Sequence, residues 1–393
     1  MELILQKRNE FSFFANKYKI DSLLFFISFI IYLIGHFVSG TMFIYVLNES
    51  FPYQLWMLAC VLAIIKILLF NHFENWQGWA FVILIGLFIW CCSLNTNTWD
   101  MVYYYVMIIA AKDIKFENII KTFLVVVISC LAITFISAKL GIIDGITNMR
   151  DGSSELRYAL GTVYPTDLAA RIFYIELFYV TLKKFKLTIA EYVIWITLAI
   201  FSYIVTDTKL DFILMILILV TAVFLPYVIR ILERIGNIGV SSILGLLIAG
   251  MMGATYLYSP HNSVLLKINN ALSGRLQFSH IAFKKFNVPL FGQVIEQTGN
   301  GGLHHGIYAY FYIDSSYIRI LMMNGVFCFI LVIGTMIWLS NKLLDEKMFA
   351  LELALIFMAV SSIIDQHLLE ISFECIFLAL LANNQVFKNR QGY

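Results

Sequence analysis

IIKTFLVVVISCLAITFISAKL, residues 119–140, decides the class of this fold. No residue between Lys121 and Lys139 is charged. A helix of ~20 apolar residues crosses ~30 Å of hydrocarbon and satisfies its own backbone hydrogen bonds there. Strands of a membrane barrel would alternate apolar and polar residues, and this stretch does not. Such runs recur along the 393 residues, which are 61% hydrophobic and 13% charged. A soluble domain carries about 25% charged residues. The chain is therefore expected to be an all-α, polytopic integral membrane protein, a single helical domain over residues 1–393.

Run length and flanking charge place about twelve spans. They are Ser22–Val46, Gln54–Phe70, Gly78–Leu94, Trp99–Ala111, Ile119–Leu140, Thr166–Leu182, Ile189–Val205, Leu210–Ile229, Val240–Tyr258, Ile313–Ser340, Phe349–Ile364 and Ile371–Phe387. With the N-terminus in the cytoplasm, seventeen of the 27 Lys and Arg residues fall inside and eight outside, with Arg171 and Arg319 within spans. Four of the outside eight belong to one long loop, where the positive-inside rule has little force. Both termini are expected to be cytoplasmic. No small-residue cleavage site follows the N-terminal basic residues, so the first span is expected to be retained. The six cysteines all lie in apolar spans, with neither a disulfide framework nor a zinc spacing. No phosphate-binding glycine loop is present.

Two outer loops are enlarged, 141–165 and 259–312. The second is soluble-like and is expected to form a short amphipathic helix near Gly274–Phe286. The first leads into MRDGSSELRYALGTVYPTD, residues 149–167, with Arg150, Asp151, Glu155, Arg157 and Asp167 between two apolar runs. Further charges stand at the same ends of other spans: Lys209 and Asp211, Asp314 and Arg319, and the group Asp365, His367, Glu370 and Glu374. Arg171 and Glu176 lie inside a span. A charge at mid-bilayer costs ~2.5–3.5 kcal/mol on insertion scales and needs a polar cavity or a partner. One reading is a shared outward-facing cavity whose arginines recognise phosphate in paired hydrogen bonds. The plainer reading makes Asp167–Arg171 and Asp314–Arg319 ion pairs that only tie helices together. Trp56, Trp99 and Tyr103–Tyr105 fit interfacial anchors, and His36 a hydrogen-bonded packing residue.

The loop segments resemble those of bacterial Wzy-type polysaccharide repeat-unit polymerases and the related O-antigen ligases, membrane glycosyltransferases of the C type. RYALGTVYPTD, with Arg157, Gly161 and Pro165, is similar to the family's arginine, glycine turn and Pro-Asn, with Thr166 in the asparagine place. Arg150 stands ahead of Gly161 as in an Arg-x10-Gly pattern. TKLD puts Lys209 where an arginine is usual. SGRLQFSHIAFKKFNVPLFGQ runs from Arg275 to a Pro-x-x-Gly ending at Gly292. DSSYIRILMMNG keeps the Ser315 to Gly325 spacing, with Asp314 in the histidine place. The likeness covers about 150–328.

The resemblance implies a metal-independent enzyme, with no cofactor, in the bacterial cytoplasmic (inner) membrane, its site facing outside. It would transfer a sugar chain from an undecaprenyl-diphosphate lipid to a hydroxyl of the next lipid-linked repeat unit. Arg157, Arg275, Lys209 and Arg150 would bind the diphosphate, with Arg171 and Arg319 supporting. Asp314, His304 or His305 would be the general base. The implied partners are the lipid-linked oligosaccharide, the bilayer, a chain-length regulator and a flippase, and no nucleic acid. Two alternatives share the cationic cavity: ligase-like transfer to another acceptor, and a flippase of lipid-linked oligosaccharide. Membrane-embedded charge biased to the outer half and a long soluble-like loop favour an enzyme over a flippase, which more often shows repeat symmetry and midplane polar groups.

Overall fold

The computed structural model describes residues 19–48, 50–73, 75–145, 147–149, 156–299 and 310–389. Arg150, His304 and His305 lie outside these. The described chain is almost wholly helical, and seven of its helices are long and apolar enough to cross a membrane. In order they are α1 (Ile20–Ser39), α2 (Ser50–Phe70), α3 (Trp76–Thr96), α4 (Asp100–Ala110), α5 (Phe116–Lys139), the hairpin β1 (Thr147–Met149) and β2 (Leu156–Tyr158), α6 (Pro165–Leu182), α7 (Ile189–Thr206), α8 (Lys209–Val223) and α9 (Leu225–Tyr256). Then follow α10 (Ser263–Ala271), α11 (Arg275–Lys285), a helical turn Ser316–Arg319 that runs into a π-helical stretch Ile320–Asn324, α12 (Val326–Asp345) and α13 (Phe349–Ser361). The seven are α1, α2, α3, α5, α7, α9 and α12.

The bundle has two unlike ends. Short connections join α2 to α3, α4 to α5, α6 to α7 and α12 to α13 at one, the stub end. The described parts of the 141–164 and 257–315 connections gather at the other, the loop-rich end.

The helices divide by what covers them. On α7, Ile189, Val193, Ile196, Ile200 and Ile204 are all exposed, at spacings of three and four. On α3, Phe81, Leu84, Leu87, Trp90 and Leu94 do the same. Continuous apolar stripes of this length suit lipid, not water. Helix α6 is the opposite: nearly every residue from Pro165 to Thr181 is buried. The helix that carries Asp167, Arg171 and Glu176 is therefore the one kept away from lipid, where charge costs most.

Between helices already out of water, close approach replaces the hydrophobic drive, and small residues permit it. Gly35 of α1 faces α2 so closely that a Cβ there would lie 2.9 Å from Leu55 Cβ and Trp56 Cδ1. Beside it the Ser28 hydroxyl donates to the Ala59 carbonyl at 2.7 Å. Trp56 is buried in this interface, in contact with His36 and Tyr103. It is not an interfacial anchor as the sequence suggests. Tyr104 is likewise buried, its hydroxyl donating to Glu374 at 2.5 Å.

Three expected spans take another form. The eighth was expected to run from Leu210 to Ile229, but α8 stops at Val223 and α9 begins at Leu225, with Pro226 in its first turn. Proline lacks the N–H that a continued helix needs. Helix α9 then kinks at Gly236, whose φ of 66° is open to glycine. The tenth begins as the Ser316–Asn324 helix and restarts at Val326 after Gly325.

The last, Ile371–Phe387, contains no α-helix. It has 3-10 turns at Ile376–Leu380 and Gln385–Phe387. It runs from Ser372, beside His36 and Arg171 at the loop-rich end, to Asn383, paired with Lys115 at the stub end. Non-helical backbone at such depth is tolerated only inside protein, and Ile371–Leu380 is buried throughout. Neighbours take its backbone groups. Lys342 Nζ donates to the Leu380 carbonyl at 3.0 Å, Asn384 to Ala379 at 2.7 Å, and the Asp113 amide to Leu381 at 3.2 Å. The Ile376 amide donates to Glu374 Oε2 at 2.9 Å. Glu374 is thereby a structural carboxylate.

Candidate functional site

The long loop reaches the bundle through three glycines. A helix stands where the amphipathic one was expected, α11, preceded by Gly274 at φ 87°, but it is not amphipathic: its buried residues are Arg275, Leu276, Ser279 and Ala282. A second helix, α10, precedes it, capped by the Asn262 side chain, which accepts from the Val264 and Leu265 amides. Beyond α11 the Pro289–Gly292 segment lies against the start of α12. The Val326 amide donates to the Pro289 carbonyl at 2.9 Å, and the Gln293 amide to Met323 at 2.8 Å. Gly292 and Gly325 both have positive φ, and a Cβ on Gly325 would lie 2.6 Å from the Leu290 carbonyl oxygen. No other residue fits there. The Pro-x-x-Gly and Asn-Gly elements quoted from the sequence are thus two halves of one contact.

That contact sets the approach of α11 to the bundle and places Arg275 at its first residue. Arg275 is buried, with Nη2 3.3 Å from Asp365 Oδ1. Asp314 and Asp211 also act on it electrostatically. Asp211 is buried next to Asp365, the two carboxyls within hydrogen-bonding reach of each other. Arg275 Nε lacks a partner among the described residues. Three carboxylates from α8 and two connections therefore surround one guanidinium whose hydrogen-bonding capacity is only partly used. Asp314 is half-buried in the loop before Ser316. Burial pushes its carboxyl above the ordinary range, against the pull of Arg275 and Arg319.

The other candidates divide. Arg157, on β2, is buried and donates from Nε to the Thr206 carbonyl at 2.7 Å, at the end of α7. It borders the α7–α8 turn just ahead of Asp211. Lys209 is exposed at the first residue of α8. Residues two apart on a helix lie about 200° around from each other. The turn that buries Asp211 therefore points Lys209 outward. Asp211, not Lys209, is the α8 side chain in the cluster.

Arg171 is fully buried between two phenyl rings, its Cζ 4.0 Å from the Phe37 centroid and 4.1 Å from that of Phe373. Its Nη1 donates to Ser372 Oγ at 3.2 Å. Gly40 leaves it room, since a Cβ there would sit 2.8 Å from Nη2. The expected Asp167–Arg171 pair is replaced by this stack, and the nearest basic group to Asp167 is His367, Nε2 to Oδ1 4.0 Å. Arg319 does not pair with Asp314 either. Its Nη1 donates to Gln366 Oε1 at 3.1 Å and Gln297 Oε1 at 3.3 Å. His36 packs as expected, hydrogen-bonded to Ser372 at 2.9 Å. Glu176 is fully buried with no hydrogen-bond partner among the described residues.

Sequence reasoning underrated two groups. His367 is stacked flat on Phe373 at 3.6 Å, and its Nδ1 lies 2.7 Å from Glu370 Oε2. Burial opposes the charge on Glu370, yet His367, His36 and Arg319 hold its carboxyl down to about 2. Asp100, Arg319 and Glu370 then line one cleft. Their crowding at span ends was the available signal, but partners could not be assigned without the fold. Among the described residues no group of three or more His, Cys, Asp or Glu is arranged to hold a metal ion.

No family model, curated protein or solved structure matches the chain. The site's own chemistry is what bears on function.

Proposed function

We propose that this is a membrane-embedded glycosyltransferase that extends lipid-linked oligosaccharide repeat units. In this reading the loop-rich end faces outside the bacterial cytoplasmic membrane, the chain makes twelve passes, and both termini are cytoplasmic. The non-helical 371–383 segment is the last pass. The observation that carries the reading is Arg275, a buried arginine with unused hydrogen-bonding capacity, set beside Asp314 where a soluble-type loop meets an apolar bundle. A diphosphate leaving group is already anionic and needs charge balance more than a proton. Arg275 supplies that balance, with Arg157 across the α7–α8 turn. The acceptor hydroxyl oxygen attacks the anomeric carbon of the donor sugar as the bond to the diphosphate oxygen breaks. The hydroxyl proton passes to Asp314, whose raised affinity for protons suits it to the task. Ligase-like transfer uses the same groups and differs only in the acceptor.

Purified protein in lipid discs, given lipid-linked repeat units, should make longer chains and release lipid diphosphate. Arg275→Ala should stop both while the protein stays folded. Long polymer from that variant would refute the reading. Sidedness is tested in intact cells with an impermeant thiol reagent. Ser273→Cys should label and Lys388→Cys should be protected; the reverse pattern overturns the topology.

A further inference from the structure

A second polar site adjoins the arginine cluster. Helix α4 begins low: Trp99, just before it, packs on Trp90, six residues short of the end of α3, with ring centroids 4.8 Å apart. Six helical residues measure about 9 Å, so Asp100 sits in a recess. The opposite wall is the Ser316–Asn324 helix, which presents Arg319 just ahead of its π-helical turns and Asn324 at their end. Such π-helical segments are frequent at functional sites. Gln366 and Glu370 close the third side. The cleft has a volume of about 60 Å³. It admits one edge of a sugar ring and leaves the rest in the open mouth.

We propose that this cleft is the subsite for the acceptor sugar, and that it takes a hydroxyl-bearing edge carrying no negative charge. The inference rests on the transfer reading above and adds the place and the chemistry of the acceptor. Carboxylates, amides and a guanidinium are the groups that exchange hydrogen bonds with vicinal hydroxyls. Two carboxylates against one guanidinium disfavour a uronate. The wall is fixed in advance: Arg319 is held by Gln297 and Gln366, and Glu370 by His367, itself stacked on Phe373. Pre-set polar groups lose little entropy on binding. The cleft also lies on the right side of the base, since Ser316 in its wall is two residues from Asp314. Segments 314–319 and 365–370 thus serve both sites.

The test is steady-state kinetics in lipid discs, with a lipid-linked repeat unit blocked at its acceptor hydroxyl as donor, an unblocked repeat unit as the varied acceptor, and donor hydrolysis followed separately. Asn324→Ala is the first variant, because the Asn324 side chain makes no hydrogen bond among the described residues and its loss leaves the fold intact. Asp100→Asn and Glu370→Gln follow. Each should raise the acceptor KM about tenfold, the worth of a lost hydrogen bond to a charged or well-placed group. Release of lipid diphosphate to water in the absence of acceptor should stay unchanged. Unchanged acceptor KM in Asn324→Ala and Asp100→Asn, with a working wild type, overturns the subsite and leaves the transfer reading standing. No turnover at all by the wild type overturns both.

Discussion

Arg171 and Arg275 are both buried arginines at the same end of the bundle, and their surroundings are opposite. Arg171 is enclosed by Phe37 and Phe373 and bonds to Ser372 of the non-helical segment. Its surroundings are aromatic faces and fixed backbone, which hold the α1, α6 and 371–373 elements together. Arg275 stands among Asp365, Asp211 and Asp314, with one ion pair at 3.3 Å and Nε unbonded. Burial alone therefore does not mark a working arginine. Both leave donors without partners among the described residues, Nε and Nη2 of Arg171 and Nε of Arg275; what separates the two is that phenyl rings cover Arg171 while carboxylates stand around Arg275.

The sharpest way to break this contrast is to remove each arginine. Arg275→Ala should lower chain extension at least ~100-fold, the cost of losing one preorganised charge-stabilising donor, with normal protein levels. Even Arg275→Lys should be harmful, because a point charge does not replace a planar fork. Arg171→Ala should instead destabilise the fold by about 2–5 kcal/mol, as large-to-small changes in packed interiors do. It would show as lost protein and a lowered melting temperature, with near-normal turnover in the folded fraction. Equal turnover loss in both folded variants would erase the distinction.

Asp314→Asn sharpens the comparison through pH. A base must be deprotonated, so turnover should fall as pH drops through the Asp314 pKa. Because burial raises that pKa, the acid limb should lie above the ordinary carboxylate value of about 4. Asp314→Asn should lose most turnover, and its residual rate should lack the limb. An unchanged limb in the variant assigns it to another group.

Gly325→Ala tests the loop contact that seats Arg275. A Cβ on the Leu290 carbonyl, at positive φ, should cost about 1–3 kcal/mol of strain, read as a lower melting temperature with partial loss of extension. Lys209→Ala should be the mildest change, less than ~3-fold in turnover, as expected for an exposed charge screened by solvent. A loss as large as that of Arg275→Ala would place Lys209 in the clamp after all.

The legible part of the site follows a pattern. Arg275, Asp314, Gly292 and Gly325 could be singled out in the sequence because charge and glycine are conspicuous among apolar runs. Asp211 was masked by Lys209 two residues before it, since helix facing depends on which neighbour packs where. The Glu370–His367 pair and the Asp100 recess were hidden for the same reason: Asp100 and Glu370 are far apart in the chain and meet only across the bundle.

Sequence alone determined the class and the rhythm of this protein. Lipid accepts only chain that satisfies its own backbone, so apolar runs of about twenty residues had to become helices, and their lengths are written residue by residue. Tertiary structure decided which charges meet. The same solvent rule is relaxed inside the bundle, where Lys342, Asn384 and Glu374 take up backbone groups that a helix would have satisfied internally. There the Ile371–Phe387 segment escapes the helix its composition suggests. There, too, one arginine is enclosed by two phenyl rings while another stands among three carboxylates. Those outcomes depend on partners brought together from distant parts of the chain, and no local pattern records them.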